Sequence, residues 1–223
     1  MKAKISEVFD SIQGEGLYLG ERQIFVRFFG CNLNCKFCDT QLHHFSEYDP
    51  QELLDEVKLY QDNYHSISFT GGEPLLQKDF LKEALKLTRA SGFKNYLETN
   101  GTLHSELGEV INYLDIIAMD IKLPSSTGGE QLWDEHRKFL EIARRKQVFC
   151  KAIICKETKE EDIIEALGLI KNIHKFAVLV LQPNSFDDER AISEKLRDYK
   201  DICRREKVTA CVIPQIHKKI GLK

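Results

Sequence analysis

Short apolar runs rich in β-branched and aromatic residues alternate along this chain with longer amphipathic stretches, and this alternation limits the fold more than any other feature. The runs cover residues 24–29, 66–69, 95–98, 116–120, 148–154, 176–181 and 208–213, each of strand length. Between them, apolar residues recur at helical spacing: Leu53, Leu54, Val57, Tyr60 and Tyr64; Phe80, Leu81, Ala84, Leu85 and Thr88; Leu132, Trp133, His136, Leu140 and Ala143; Ile163, Ile164, Leu167 and Ile170; Ile192, Leu196, Tyr199 and Cys203. Strand and crossover helix in this order require a mainly parallel sheet with right-handed connections. About six βα units are too few for a closed eight-stranded barrel, so the pattern predicts a partial, open βα barrel in a single α/β domain. Residues 4–11 alternate as an extra strand would, and Ser11-Ile12-Gln13-Gly14-Glu15-Gly16 continues it into a polar, glycine-rich loop. Residues 125–129, Ser-Ser-Thr-Gly-Gly, are expected to be a loop beside the site.

With 223 residues, 42% of them hydrophobic, the chain can bury a sizeable core without staples. Its net charge of −3, with basic residues spread among acids, argues against nucleic acid as a direct partner. No apolar stretch approaches the roughly 18 residues of a membrane span, and no secretory pattern opens the chain, so a cytoplasmic protein is expected. Seven cysteines is an odd number, which speaks against a disulfide scaffold.

Three of those cysteines stand together in Cys31-Asn-Leu-Asn-Cys35-Lys-Phe-Cys38, just beyond the first core strand. Chemistry in open α/β sheets and barrels happens at that end of a strand. Three thiolates at this spacing suit a [4Fe-4S] cluster with one iron left open. Zinc is the rival and would need a fourth ligand such as His43 or His44. Cys150, Cys155, Cys203 and Cys211 are scattered and are read as core thiols. After the second core strand comes Phe69-Thr70-Gly71-Gly72-Glu73-Pro74, whose glycines permit close backbone approach to a ligand. Arg27 shares a strand face with Phe25 and Phe29 and needs a partner, either a salt bridge at the core edge or a ligand carboxylate.

The CxxxCxxC loop together with Gly-Gly-Glu-Pro resembles the radical S-adenosylmethionine superfamily. The loop 11–16, Arg27, Asp39-Thr40 and the tail Gln215-Ile216-His217-Lys218-Lys219-Ile220-Gly221 narrow the resemblance to its 7-carboxy-7-deazaguanine synthase family. The resemblance spans essentially the whole chain. It implies a carbon–nitrogen lyase that converts 6-carboxy-5,6,7,8-tetrahydropterin to 7-carboxy-7-deazaguanine with loss of ammonia. A 5′-deoxyadenosyl radical would take hydrogen from the substrate and later return it, so adenosylmethionine is a cofactor and not consumed.

Residue roles follow from the resemblance alone. Cys31, Cys35 and Cys38 would hold the cluster and Thr40 a Mg²⁺. Phe37, Cys38, Asp39, Gly72, Glu73, Asp120, Ile121, Lys122, Gln182, Asn184 and Ser185 would meet adenosylmethionine. Ile12, Gln13, Gly14, Glu15, Arg27, Thr70, Glu98 and the terminal carboxylate of Lys223 would meet the substrate. Residues 1–20 then form an N-terminal strand and substrate loop, 21–214 the barrel core, and 215–223 a tail closing the site. A homodimer and a low-potential, flavodoxin-like reductant are further implied. Without the resemblance, the blander readings stand: residues 12–15 a polar turn, Thr40 a cap, Phe37 a core side chain, Asp120 and Lys122 an ion pair on the rim. A glycyl-radical-enzyme activase is the alternative function, although the polar loop and Thr40 favour a small substrate.

Overall fold

The computed structural model describes residues 1–40, 42–60, 63–216 and 221. Among these, one nine-stranded sheet runs in the order β3-β1-β2-β4-β5-β6-β7-β8-β9. Its strands are β1 (Ala3–Ile12), β2 (Arg22–Phe28), β3 (Ser46–Tyr48), β4 (Ser66–Gly71), β5 (Asn95–Thr99), β6 (Ile116–Asp120), β7 (Gln147–Ile154), β8 (Leu179–Pro183) and β9 (Ala210–Val212). The helices are α1 (Pro50–Val57), α2 (Lys78–Ala90), α3 (His104–Val110), α4 (Pro124–Thr127), α5 (Trp133–Ala143), α6 (Glu160–Ile173) and α7 (Glu189–Arg205). From β2 to β9 every neighbouring pair is parallel, while β1 pairs antiparallel with both β2 and β3. A helix lies in each crossover between successive parallel strands, so the molecule is an open α/β barrel.

The two faces of the parallel strands explain why the sheet curls around a site. Outward side chains such as Ile24, Val26, Ile67, Phe69, Leu97, Ile117, Cys150 and Leu181 are buried under the helices in one continuous core. Helix α2 meets it with Phe80, Leu81, Ala84, Leu85 and Thr88, all buried at helical spacing. The inward face changes character along each strand. Tyr96, Ile116, Ala118, Phe149 and Val180 form a second apolar cluster inside the barrel. Two residues further along the same strands stand Glu98, Ala118 then Asp120, Lys151 and Gln182. Period-two geometry thus carries one inward face from an apolar plug to a polar cavity at the strands' carboxyl ends.

Strand β3 and helix α3 were not foreseen, being too short or too polar to stand out. The pattern continuing through Tyr60 and Tyr64 overruns α1, which ends at Val57; the two tyrosines meet edge to face instead. The run 176–181 starts too early, because Phe176 is 76% exposed and β8 begins at Leu179. Residues 125–129 are not a plain loop. Ser126 and Thr127 are buried in α4, and Gly128 at φ +70° caps it.

Candidate active site

A cavity of about 620 Å³ opens at the carboxyl ends of the strands, and the three-cysteine loop forms part of its wall. That loop is pinned from below by the glycine turn after β4. Gly72 N–H donates to the Phe28 carbonyl at 3.0 Å and Glu73 N–H to the Gly30 carbonyl at 2.8 Å. A Cβ on Gly72 would fall 1.9 Å from the Gly30 oxygen, and one on Gly71 2.3 Å from the Phe28 oxygen. The glycines therefore serve the approach of one backbone to another, with Gly72 also lining the cavity. From the other side, Lys36 N–H donates to the Thr127 carbonyl of α4 at 3.1 Å.

Cys31, Cys35 and Cys38 are free thiols and all line the cavity. Burial pushes the Cys31 and Cys35 thiols above their ordinary values. Leu33 N–H lies 3.4 Å and Asn100 Nδ2 3.9 Å from Cys31 Sγ, two donors suited to a thiolate. Among the described residues, no three metal-binding side chains converge as a single ion would require. Three thiols on one cavity-lining loop suit a cluster that leaves one iron open.

Glu73 does not reach the cavity. Its carboxylate is fully buried and accepts from Thr99 Oγ1 at 3.0 Å, Asn100 N–H at 2.8 Å and Leu75 N–H at 3.1 Å. Burial pushes its pKa up to about 7. Ile121 likewise points into the core, and Ser185 does not line the cavity. Lys223 and residues 217–220 of the tail lie outside the described residues. The tail's start is described: Ile216 N–H donates to the Gly14 carbonyl at 2.9 Å, and Gln215 Nε2 to Asp39 Oδ2 at 3.2 Å. It thus joins the 13–16 loop to the cysteine loop across the cavity.

The remaining site candidates come together in this cavity. Gln13 is buried, and its amide nitrogen donates to Gln23 Oε1 at 2.9 Å and Glu98 Oε1 at 2.8 Å. Its role toward a ligand is therefore indirect: it orients Glu98, whose other oxygen accepts from Thr70 Oγ1 at 3.1 Å. Arg27 faces Glu7 across β1–β2, with Nε 3.3 Å from Glu7 Oε2, and stays a quarter exposed on the cavity wall. Thr40 Oγ1 lies 3.4 Å from Asp39 Oδ1.

In the same cavity, Lys122 Nζ bonds Asp120 Oδ2 at 2.9 Å and sits 5.5 Å from the Phe37 ring centroid. Burial opposes ionisation of Asp120, yet the Lys122 and Lys151 ammonium groups outweigh it and hold the carboxyl below its ordinary value. Asp120 Oδ1 and Gln182 Oε1 are buried without a hydrogen-bond partner. Two orphaned acceptors in a cavity wall fit a ligand that brings donors, as a ribose or an amino group does. Sequence reasoning missed Lys151 and gave Asn100 no role; a lone lysine inside the apolar run 148–154 was the available signal.

An open βα barrel with three cysteines on the loop after its first parallel strand defines a radical S-adenosylmethionine enzyme, and residues 25–196 match the Radical SAM superfamily. Membership implies a [4Fe-4S] cluster and adenosylmethionine, and the three thiols and orphaned acceptors suit them. The 7-carboxy-7-deazaguanine synthase of Geobacter sulfurreducens is 38% identical over 98% of this chain and 97% of its own length. That of Archaeoglobus fulgidus is 33% identical, with both chains covered in full. The crystal structure of QueE from Escherichia coli superimposes with a TM-score of 0.68 at 22% identity, covering 95% of this chain and 94% of that one. The chain belongs to the 7-carboxy-7-deazaguanine synthase family.

Proposed function

We propose that this enzyme converts 6-carboxy-5,6,7,8-tetrahydropterin to 7-carboxy-7-deazaguanine and ammonia, within 7-deazapurine (queuosine) biosynthesis. Loss of ammonia accounts for the whole change in composition, so no net oxidant is required. The observation that carries the reading is one cavity lined both by three thiols and by Arg27 and a Glu98 carboxylate fixed by Gln13 and Thr70. The full-length relatives give no support to a glycyl-radical-enzyme activase.

Cys31, Cys35 and Cys38 would hold the cluster, and when bound, cluster and adenosylmethionine together supply the one-electron chemistry that opens the reaction. Everything else the protein does is positioning. Arg27 clamps the substrate carboxylate, a contact suited to a guanidinium fork. Glu98 accepts from the guanidine-like edge of the pterin, and Gln13 and Thr70 keep it aimed. Thr40 offers a hard oxygen to Mg²⁺, which commonly completes its shell with water and substrate oxygens. Gln215 and Ile216 carry the chain across the cavity mouth, from the cysteine loop to the 13–16 loop. The enzyme works as a cytoplasmic homodimer, the commonest assembly, fed by a low-potential flavodoxin-like reductant; a reducing compartment suits its unpaired thiols.

The test is to mix reduced, anaerobically reconstituted protein with adenosylmethionine, Mg²⁺ and 6-carboxytetrahydropterin and to follow the deazaguanine chromophore and ammonia. Equimolar product and ammonia with adenosylmethionine undiminished supports the reading; adenosylmethionine cleavage without deazaguanine contradicts it. Thr40→Ala should keep cluster and adenosylmethionine binding while blunting the response to Mg²⁺. An unchanged Mg²⁺ dependence in that variant rules out Thr40 as its ligand.

A further inference from the structure

Lys151 is 4% exposed on the inward face of β7, between Phe149 and Ile153. Burying an ammonium there is costly unless it is paired. Its partner comes from far away in the chain: Lys151 Nζ lies 2.9 Å from Glu15 Oε2, 136 positions earlier. The same carboxylate oxygen accepts from Gln182 Nε2 of β8 at 2.8 Å. Glu15 belongs to the loop that leaves β1, at the other side of the sheet, with β2, β4, β5 and β6 standing between β1 and β7. The contact therefore spans the barrel interior and does not follow the sheet.

The loop's own side supplies different ties. Gln13 N–H donates to the Glu21 carbonyl, Gly20 N–H to the Gln13 carbonyl, and the Gln13 side chain holds Glu98. Only Glu15 reaches β7 and β8 among the side-chain bonds described for residues 13–15. A buried ion pair seldom adds net stability over an apolar pair of like volume, so stability alone is a poor reason for this one. Fixing the geometry of a loop is a better reason. Asp120, register partner of Lys151 on β6, takes its hydrogen bond from Lys122 and acts on Lys151 through its charge, so the hydrogen bond of the Lys151 ammonium goes to Glu15.

We propose that Lys151 is a positioning residue: with Gln182 it grips Glu15 and so holds the 13–16 loop across the open barrel in the shape that receives the substrate. This rests on the pterin reading of the cavity. Its ammonium borders the cavity, and its effect on the substrate runs through Glu15.

The test compares reconstituted wild type, Lys151→Met, Glu15→Gln and the double variant. KM and kcat for 6-carboxytetrahydropterin are measured, and amide hydrogen exchange over residues 13–16. The expected result is a KM raised tenfold or more in Lys151→Met with a smaller fall in kcat, faster exchange confined to the loop, and iron content unchanged. The double variant should be no worse than Lys151→Met, since the two residues act as a unit. A KM within twofold of wild type, or losses that multiply in the double variant, overturns the proposal. If Lys151→Met does not fold, amide exchange over residues 13–16 in Glu15→Gln decides: faster exchange confined to the loop supports the proposal and wild-type exchange overturns it. If the wild type makes no deazaguanine, the pterin reading fails separately, and loop exchange in the variants still decides the role of Lys151.

Discussion

Glu73 Oε2 accepts the Asn100 backbone N–H at 2.8 Å, deep beneath the cysteine loop. This bond joins the Gly-Gly-Glu-Pro turn to the loop after β5, and the Asn100 side chain continues upward to Asn32 Oδ1 at 2.8 Å and toward Cys31. His136 supports the same point from α5, its Nε2 3.2 Å from the Asn100 carbonyl oxygen. A buried acid and a buried base thus brace one loop.

These two groups should give opposing pH dependences. Burial raises Glu73 from 4.5 to about 7, so the folded state holds a proton that the unfolded state releases, and stability falls as pH rises through that window. Burial lowers His136 from 6.5 to about 4, so the unfolded state takes up the proton first, and stability falls as pH drops through that window. The slopes offset each other where the windows overlap. In urea unfolding of cluster-free protein, Glu73→Gln should unmask stability that rises with pH, and His136→Gln stability that falls, each by about 1.4 kcal/mol per unit. Variants that keep the wild-type slope contradict both assignments.

Gly72→Ala should impair cluster assembly more than folding. Its methyl group would meet the Gly30 carbonyl, a backbone atom with little room to yield. Iron per chain should fall well below wild type while circular dichroism is unchanged. Gly168→Ala, in the interior of α6 with open space around it, is the control and should stabilise by about 0.5 to 1 kcal/mol.

Arg27→Ala should raise KM for the pterin by about 10- to 100-fold, the loss of one charge-assisted contact of about 1.5 to 3 kcal/mol. Turnover at saturation should change little, because the clamp binds ground and transition states alike. An unaltered KM would leave Arg27 as the partner of Glu7 and nothing more.

The barrel was legible because its strands are buried on both faces, which writes continuous apolar runs into the sequence. The short β3 and the polar α3 left no such trace. Cys31, Cys35 and Cys38 could be read as a set because one loop carries them all. Glu15, Lys151 and Gln182 could not, since their meeting depends on sheet curvature bringing β8 and β7 over the loop from β1. Glu73 was misjudged for a related reason. Its motif neighbour Gly72 faces the cavity, but the turn sends the carboxylate inward to Thr99 and Asn100.

A cluster on three thiolates with one iron free for adenosylmethionine has a signature in electron paramagnetic resonance of the reduced, anaerobically reconstituted protein. About four irons per chain are expected, with a reduced-cluster signal that shifts when adenosylmethionine is added and vanishes in Cys35→Ala. A zinc-filled site, or a cluster signal indifferent to adenosylmethionine, would rule out an open iron held by Cys31, Cys35 and Cys38.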